Sequence, residues 1–111
     1  MRKGMRDVED AVPYDRNGYG PQLITIDGCF VCGRQDRPLQ RHEIFHGPYR
    51  EKSKQYGCWA PLCDLCHARV HKDALLDRKL KVIFQHKAMK EYQWDLDQWR
   101  QVFGKNYEEG E

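Results

Sequence analysis

Two Cys-x-x-Cys pairs, Cys29/Cys32 and Cys63/Cys66, constrain this chain of 111 residues more than anything else in it. Each pair sets two thiolates close enough to share a tetrahedral ion, and two pairs complete a four-sulfur shell with no open position, the arrangement of a structural zinc site. The second pair also opens a stretch of helical character, and amides at a helix N-terminus favour the thiolate that binds metal. Only 40% of residues are apolar and the mean hydropathy is -0.92, so a chain this short builds one thin core and needs a second source of stability. Disulfide bonding is the plain alternative. It suits secreted chains, and nothing apolar follows the charged start MRKGMRDVED to act as a secretory signal or a membrane span, so a cytoplasmic protein with no membrane partner is expected. A redox site of the thioredoxin type would leave the second pair unexplained. Cys58, the fifth cysteine, reads as a small buried apolar residue.

Local pattern divides the chain into three parts. Residues 1–20 are polar, carry Pro13, Gly18 and Gly20, and lack periodicity, as a flexible arm would. Residues 21–73 form the zinc-braced domain and 74–111 a helical extension. Leu23-Ile24-Thr25-Ile26, closed by Asp27-Gly28, is expected to be a strand feeding the first cysteine pair. Leu39 to Phe45, between Pro38 and Gly47-Pro48, suits a second, and Cys58 to Leu62 a third, with Pro61 holding it to a sheet edge. Tyr49 to Gly57 is charged and without an apolar stripe, hence a loop or a brief helical turn. Helix begins at Cys63, with Asp64 near its start. It resumes from about Ala74 to Tyr92, where Leu76, Leu80, Ile83, Phe84 and Met89 recur at near-helical spacing. Asp95 is placed to cap a last helix carrying Leu96, Trp99, Val102 and Phe103, and Gly104 to stop it. The class expected is a small α+β domain with C-terminal helices.

A formal charge of +2 is too mild to demand a nucleic-acid partner, but its distribution is uneven. Basic residues outnumber acidic ones from Arg34 to Lys54 and again from Arg69 to Lys90. The second half, where the bias is stronger, would attract a polyanion or equally serve as a solvated helix face.

Inside and after the cysteine clip lie Arg41-His42-Glu43-Ile44-Phe45-His46-Gly47 and then Leu62-Cys63-x-x-Cys66-His67-x-x-x-His71. Histidines four apart on a helix point the same way, so His67 and His71 can both reach one ion, with His42 arriving from a strand opposite. His86, outside this grouping, reads as a surface residue. A His-bearing strand, a loop and Cys-x-x-Cys-His on a helix together resemble the HNH endonucleases, whose ββα-metal site is often braced by two Cys-x-x-Cys pairs. The run of HEIFHG, YGCWAPLC, CHARVH and FGKNY is similar to small phage and prophage proteins of that superfamily, over about Cys29 to Tyr107.

The resemblance implies a zinc-stabilised ββα-metal fold and a hydrolase acting on DNA in the cytoplasm of a bacterial host. Zinc would sit at Cys29, Cys32, Cys63 and Cys66, and a catalytic Mg, Mn, Ni or Zn at His42, His67 and His71. The base would be Glu43, or Glu43 would ligate the metal and His42 or His46 would be the base. Glutamate is a weak base at neutral pH unless its pKa is raised. Arg50, Lys52 and Lys54 in the loop are candidate phosphate contacts. The chain departs from the pattern at Cys58, where HNH proteins usually have asparagine. A non-catalytic zinc-binding module that recognises nucleic acid or protein on the same scaffold is therefore the alternative.

Overall fold

The computed structural model describes residues 15–108. It is an α+β fold with a two-stranded antiparallel sheet and four α-helices. Strand β1, Leu39–Glu43, pairs with β2, Trp59–Cys63, in a register that sets His42 opposite Ala60, Arg41 opposite Pro61 and Glu43 opposite Trp59. A 3-10 turn at Gly47–Tyr49 and helix α1, Arg50–Gln55, fill the connection. Helix α2, Asp64–Val70, follows β2 without a break, α3 spans Ala74–Tyr92 and α4 spans Leu96–Phe103.

Caps explain the helix starts. Asp73 accepts from Leu76 N at the start of α3, and Asp95 and Gln98 form a reciprocal capping box on α4. Between them Gln93 turns the chain at φ 57, which separates α3 from α4.

Two faces of the small sheet carry different chemistry, because side chains alternate along a strand. Gln40 and His42 share one face of β1; Arg41 and Glu43 share the other. Expected order near Pro21 begins earlier. Of the presumed arm, residues 1–14 lie outside the described residues, but Asp15 to Gly20 lies along the second face: Asp15 pairs with Arg41, Tyr19 donates to Glu43, and Trp59 Nε1 donates to Gly20 O at 2.9 Å. The Arg41 guanidinium stacks 4.4 Å from the Tyr19 ring centroid.

The expected strand Leu23–Ile26 is a correction. Among the described residues the sheet has only β1 and β2, and Leu23 makes a single ladder-like bond, its N–H to Gly57 O. Its partner there is a turn, with Gly57 at φ 78 and no room for a Cβ against the Pro21 carbonyl. Local β preference cannot supply the missing neighbour strand.

One core joins the whole. Phe45, just past β1, packs against Trp99, Phe103 and Tyr107 with ring centroids 5.3, 4.7 and 5.2 Å away, while Phe30 from the first cysteine loop meets Phe84 of α3 at 5.4 Å. Helices α3 and α4 thus share buried side chains with the segment 21–73. Among the described residues, no helix is long and apolar enough to cross a membrane.

Candidate metal centres

Four thiols converge first. Cys63 is the N-cap of α2, and its Sγ accepts from Cys66 N at 3.4 Å. The first pair sits in a tight turn in which Gly33 N donates to Cys29 O and Cys29 N to Arg34 O. Phe30 N donates to Pro61 O at 2.8 Å, tying that turn to β2. Arg37 then clasps Asp64, at the start of α2, through two bonds of 2.6 Å.

The four Sγ atoms lie within 4.8 Å of one another, and Cys32 Sγ is 3.9 Å from Cys63 Sγ. A tetrahedral ion with metal–sulfur bonds of ~2.3 Å needs sulfurs ~3.8 Å apart. The cluster can hold a metal ion. Burial disfavours the Cys29 thiolate, yet surrounding backbone N–H groups outweigh it and hold the thiol below its ordinary range. Burial and the other thiols push Cys66 up. A cation among the four sulfurs would offset the repulsion that four thiolates this close would otherwise feel. Cys58 stays apart, fully buried, its thiol pushed up by burial alone.

The second group is histidine. His42 on β1, His67 within α2 and His71 at its C-cap bring one ring nitrogen each within 4.8 Å. Ring centroids of His42 lie 5.3 Å from His67 and 5.8 Å from His71. Exposure is graded, from buried His42 through His67 to exposed His71, so the group is walled on one side and open on the other. Burial, then the neighbouring imidazoles, hold His42 down to about 4, so it is neutral at pH 7 and able to act as a ligand. Its Nε2 is buried and has no hydrogen-bond partner among the described residues. Such an orphan costs about 1–3 kcal/mol unless something binds it. His67 Nδ1 lies 2.5 Å from Gln40 Oε1. An amide oxygen only accepts, so the proton is on Nδ1 and the Nε2 lone pair is free, the outer contact that commonly orients a metal-binding imidazole.

The remaining candidates separate. His46 is beside the group, its ring 6.1 Å from His42, but its Nε2 faces Asp77 at 3.2 Å. Glu43 turns to the sheet face away from His42, where Tyr19 donates to one oxygen and Arg50 to the other at 3.1 Å. Although burial pushes its carboxyl up, those two donors outweigh it and hold it below the usual range. The raised pKa that a glutamate base needs is absent. Arg50 is thereby committed to Glu43, and Lys54 is largely covered beside the Tyr19 ring and Glu51; Lys52 is exposed.

No protein-family model, curated protein or solved structure matches the chain. Its chemistry must be read from these side chains.

Sequence reasoning missed three residues. Ser53, fully buried in α1, accepts from Phe45 N at 3.0 Å and donates to Cys58 O at 2.5 Å, so one hydroxyl ties the segment after β1 to the residue before β2. Tyr19 and Asp77 were the others. A serine in a charged helix carries no local signal of this, and the tyrosine and aspartate are joined to the site only by the fold.

Proposed function

We propose that the chain is a metal-dependent endonuclease that hydrolyses DNA phosphodiester bonds on a ββα-metal, HNH-like scaffold, with a structural zinc at Cys29, Cys32, Cys63 and Cys66. One observation carries the reading: His42, His67 and His71 converge from a strand and the helix after it, with the buried Nε2 of His42 unpartnered and His71 open to solvent. A divalent cation held there (Mg, Mn, Ni or Zn) supplies positive charge to a scissile phosphate and to the departing 3′ oxygen. The protein's own part is to orient the imidazoles and keep the buried one neutral: Gln40 fixes His67, and the walls around His42 exclude water. With Glu43 ionised and held by two donors, the base role passes to His46, the imidazole beside the group. Exposed Lys52 remains for a backbone phosphate.

The test is nicking of supercoiled plasmid by purified protein with each metal in turn, His67→Ala against the parent. Loss of cleavage in the variant is expected, and equal cleavage by both overturns the assignment.

A second reading, a non-catalytic zinc-binding module for nucleic acid or protein, is favoured by the engagement of Glu43 and Arg50 with each other. It requires parent protein that leaves plasmid intact with every metal.

A further inference from the structure

His46 and Asp77 meet across the fold. His46 follows β1 and Asp77 lies in the first turn of α3, and they are joined by Nε2 to Oδ1 at 3.2 Å. Surface His–Asp contacts are common and weak, but this carboxylate is unlike a surface group. Its side chain is only 20% exposed, and Lys81 Nζ anchors its other oxygen at 2.9 Å. A carboxylate fixed from behind cannot follow the imidazole if the ring swings, so it dictates where the ring rests. The His46 ring also lies beside the metal group, 6.5 Å from that of His71. Asp77, His46, His71 and Lys72 line one cavity of about 230 Å³.

The geometry points to Asp77 as a positioning residue: its carboxylate holds His46 with the proton on Nε2, leaving Nδ1 as the proton-accepting atom beside the cavity that His71 shares. Burial pushes the Asp77 carboxyl up, but Lys81 and His46 outweigh it and keep the carboxyl below its usual range. An ionised carboxylate only accepts, which fixes the tautomer of its partner. The inference rests on the endonuclease reading for its chemical use. In that use a water oxygen bonds to phosphorus, one of its protons passes to His46 Nδ1, and the bond to the 3′ oxygen breaks. The departing oxygen takes a proton from solvent, and the imidazolium, stabilised by Asp77, later returns its own.

Two measurements on the full-length, zinc-loaded protein decide it. Imidazole nitrogen shifts of ¹⁵N-histidine protein should show His46 mainly as the Nε2–H form, and Asp77→Ala should convert it to a mixture. In plasmid nicking with Mn, Asp77→Ala and His46→Ala should each lower kcat by about tenfold or more with KM unchanged. The double variant should be no slower than His46→Ala, and Mn affinity without DNA should match the parent. Asp77→Asn keeps the shape and guards against a folding defect: with Lys81 taking its amide oxygen, its NH2 faces His46, so it should melt like the parent yet shift the tautomer and slow nicking as Asp77→Ala does. A parent His46 in the Nδ1–H form, a tautomer indifferent to Asp77, or losses that multiply in the double variant overturns the proposal. A parent that cleaves nothing removes the nuclease reading, and the tautomer then decides alone whether Asp77 positions His46.

Discussion

Cys66 and His67 are consecutive residues of α2, yet they serve different clusters: the Cys66 thiol belongs to the four-sulfur group and the His67 imidazole to the three-nitrogen group. The backbone of α2 is therefore common to both. Cys66→Ser is expected to abolish tight zinc binding and, with it, to weaken any histidine-dependent metal affinity by at least about tenfold. Titration calorimetry with Mn after zinc loading measures this. Full histidine-dependent affinity in the variant would contradict the linkage.

Metal stoichiometry should separate the two clusters in the other direction. The parent is expected to bind one ion tightly and a second weakly, and His67→Ala or His71→Ala to lose the weak one alone. The tight ion should survive because neither histidine touches the sulfur group. Elemental analysis after graded chelation reads both; loss of the tight ion in His71→Ala would count against separate sites.

How much of this was legible beforehand depended on range. The cysteine spacing, the i,i+4 histidines, the span of α3 and the Asp95 and Gly104 ends of α4 are local patterns, and each is where it was read. Leu23 to Ile26 was misread because β-branched residues advertise a strand without revealing whether a partner exists. Glu43 was a candidate base, alongside His42 and His46, because the HNH resemblance puts the base at the position after His42, and strand alternation turned it to the opposite face. Tyr19 to Glu43, Ser53 to Phe45 and His46 to Asp77 are pairings between distant or aperiodic positions, set by packing that no short window encodes.

Tyr19→Phe should cost about 1 kcal/mol at pH 7, one partly buried hydrogen bond. Burial first, then Glu43, raises the Tyr19 hydroxyl from 10.0 to about 12. A raised folded pKa means that the folded state retains the proton longer. The stabilisation is therefore complete below pH 10 and is lost as pH climbs to about 12. Urea melts of parent and variant should differ at pH 7 to 9 and converge in strong alkali. Metal affinity at the histidines should not change, since Tyr19 lies on the other sheet face; a drop there would show that the faces communicate.

Ser53→Ala removes one hydroxyl and strands Phe45 N in the interior, while Cys58 O keeps its bond from Ile44 N. The expected loss is about 1–3 kcal/mol. Because those partners flank His42 and the start of β2, the histidine-dependent ion should weaken as well. Thermal melts of the zinc-loaded protein check the first part, and an unchanged melting point would mean that water replaces the hydroxyl.

The enclosure of Phe45 by Trp99, Phe103 and Tyr107 has a consequence for the order of events during synthesis. By the time His71 is made, every metal-binding side chain of both clusters exists, but the aromatic wall that seats the segment between His42 and His46 does not. A nascent chain on the ribosome can load zinc early, yet it cannot finish the histidine face until residues 99–107 arrive. On the endonuclease proposal, the aromatics at 99–107 would act as a safety catch that keeps half-made copies harmless.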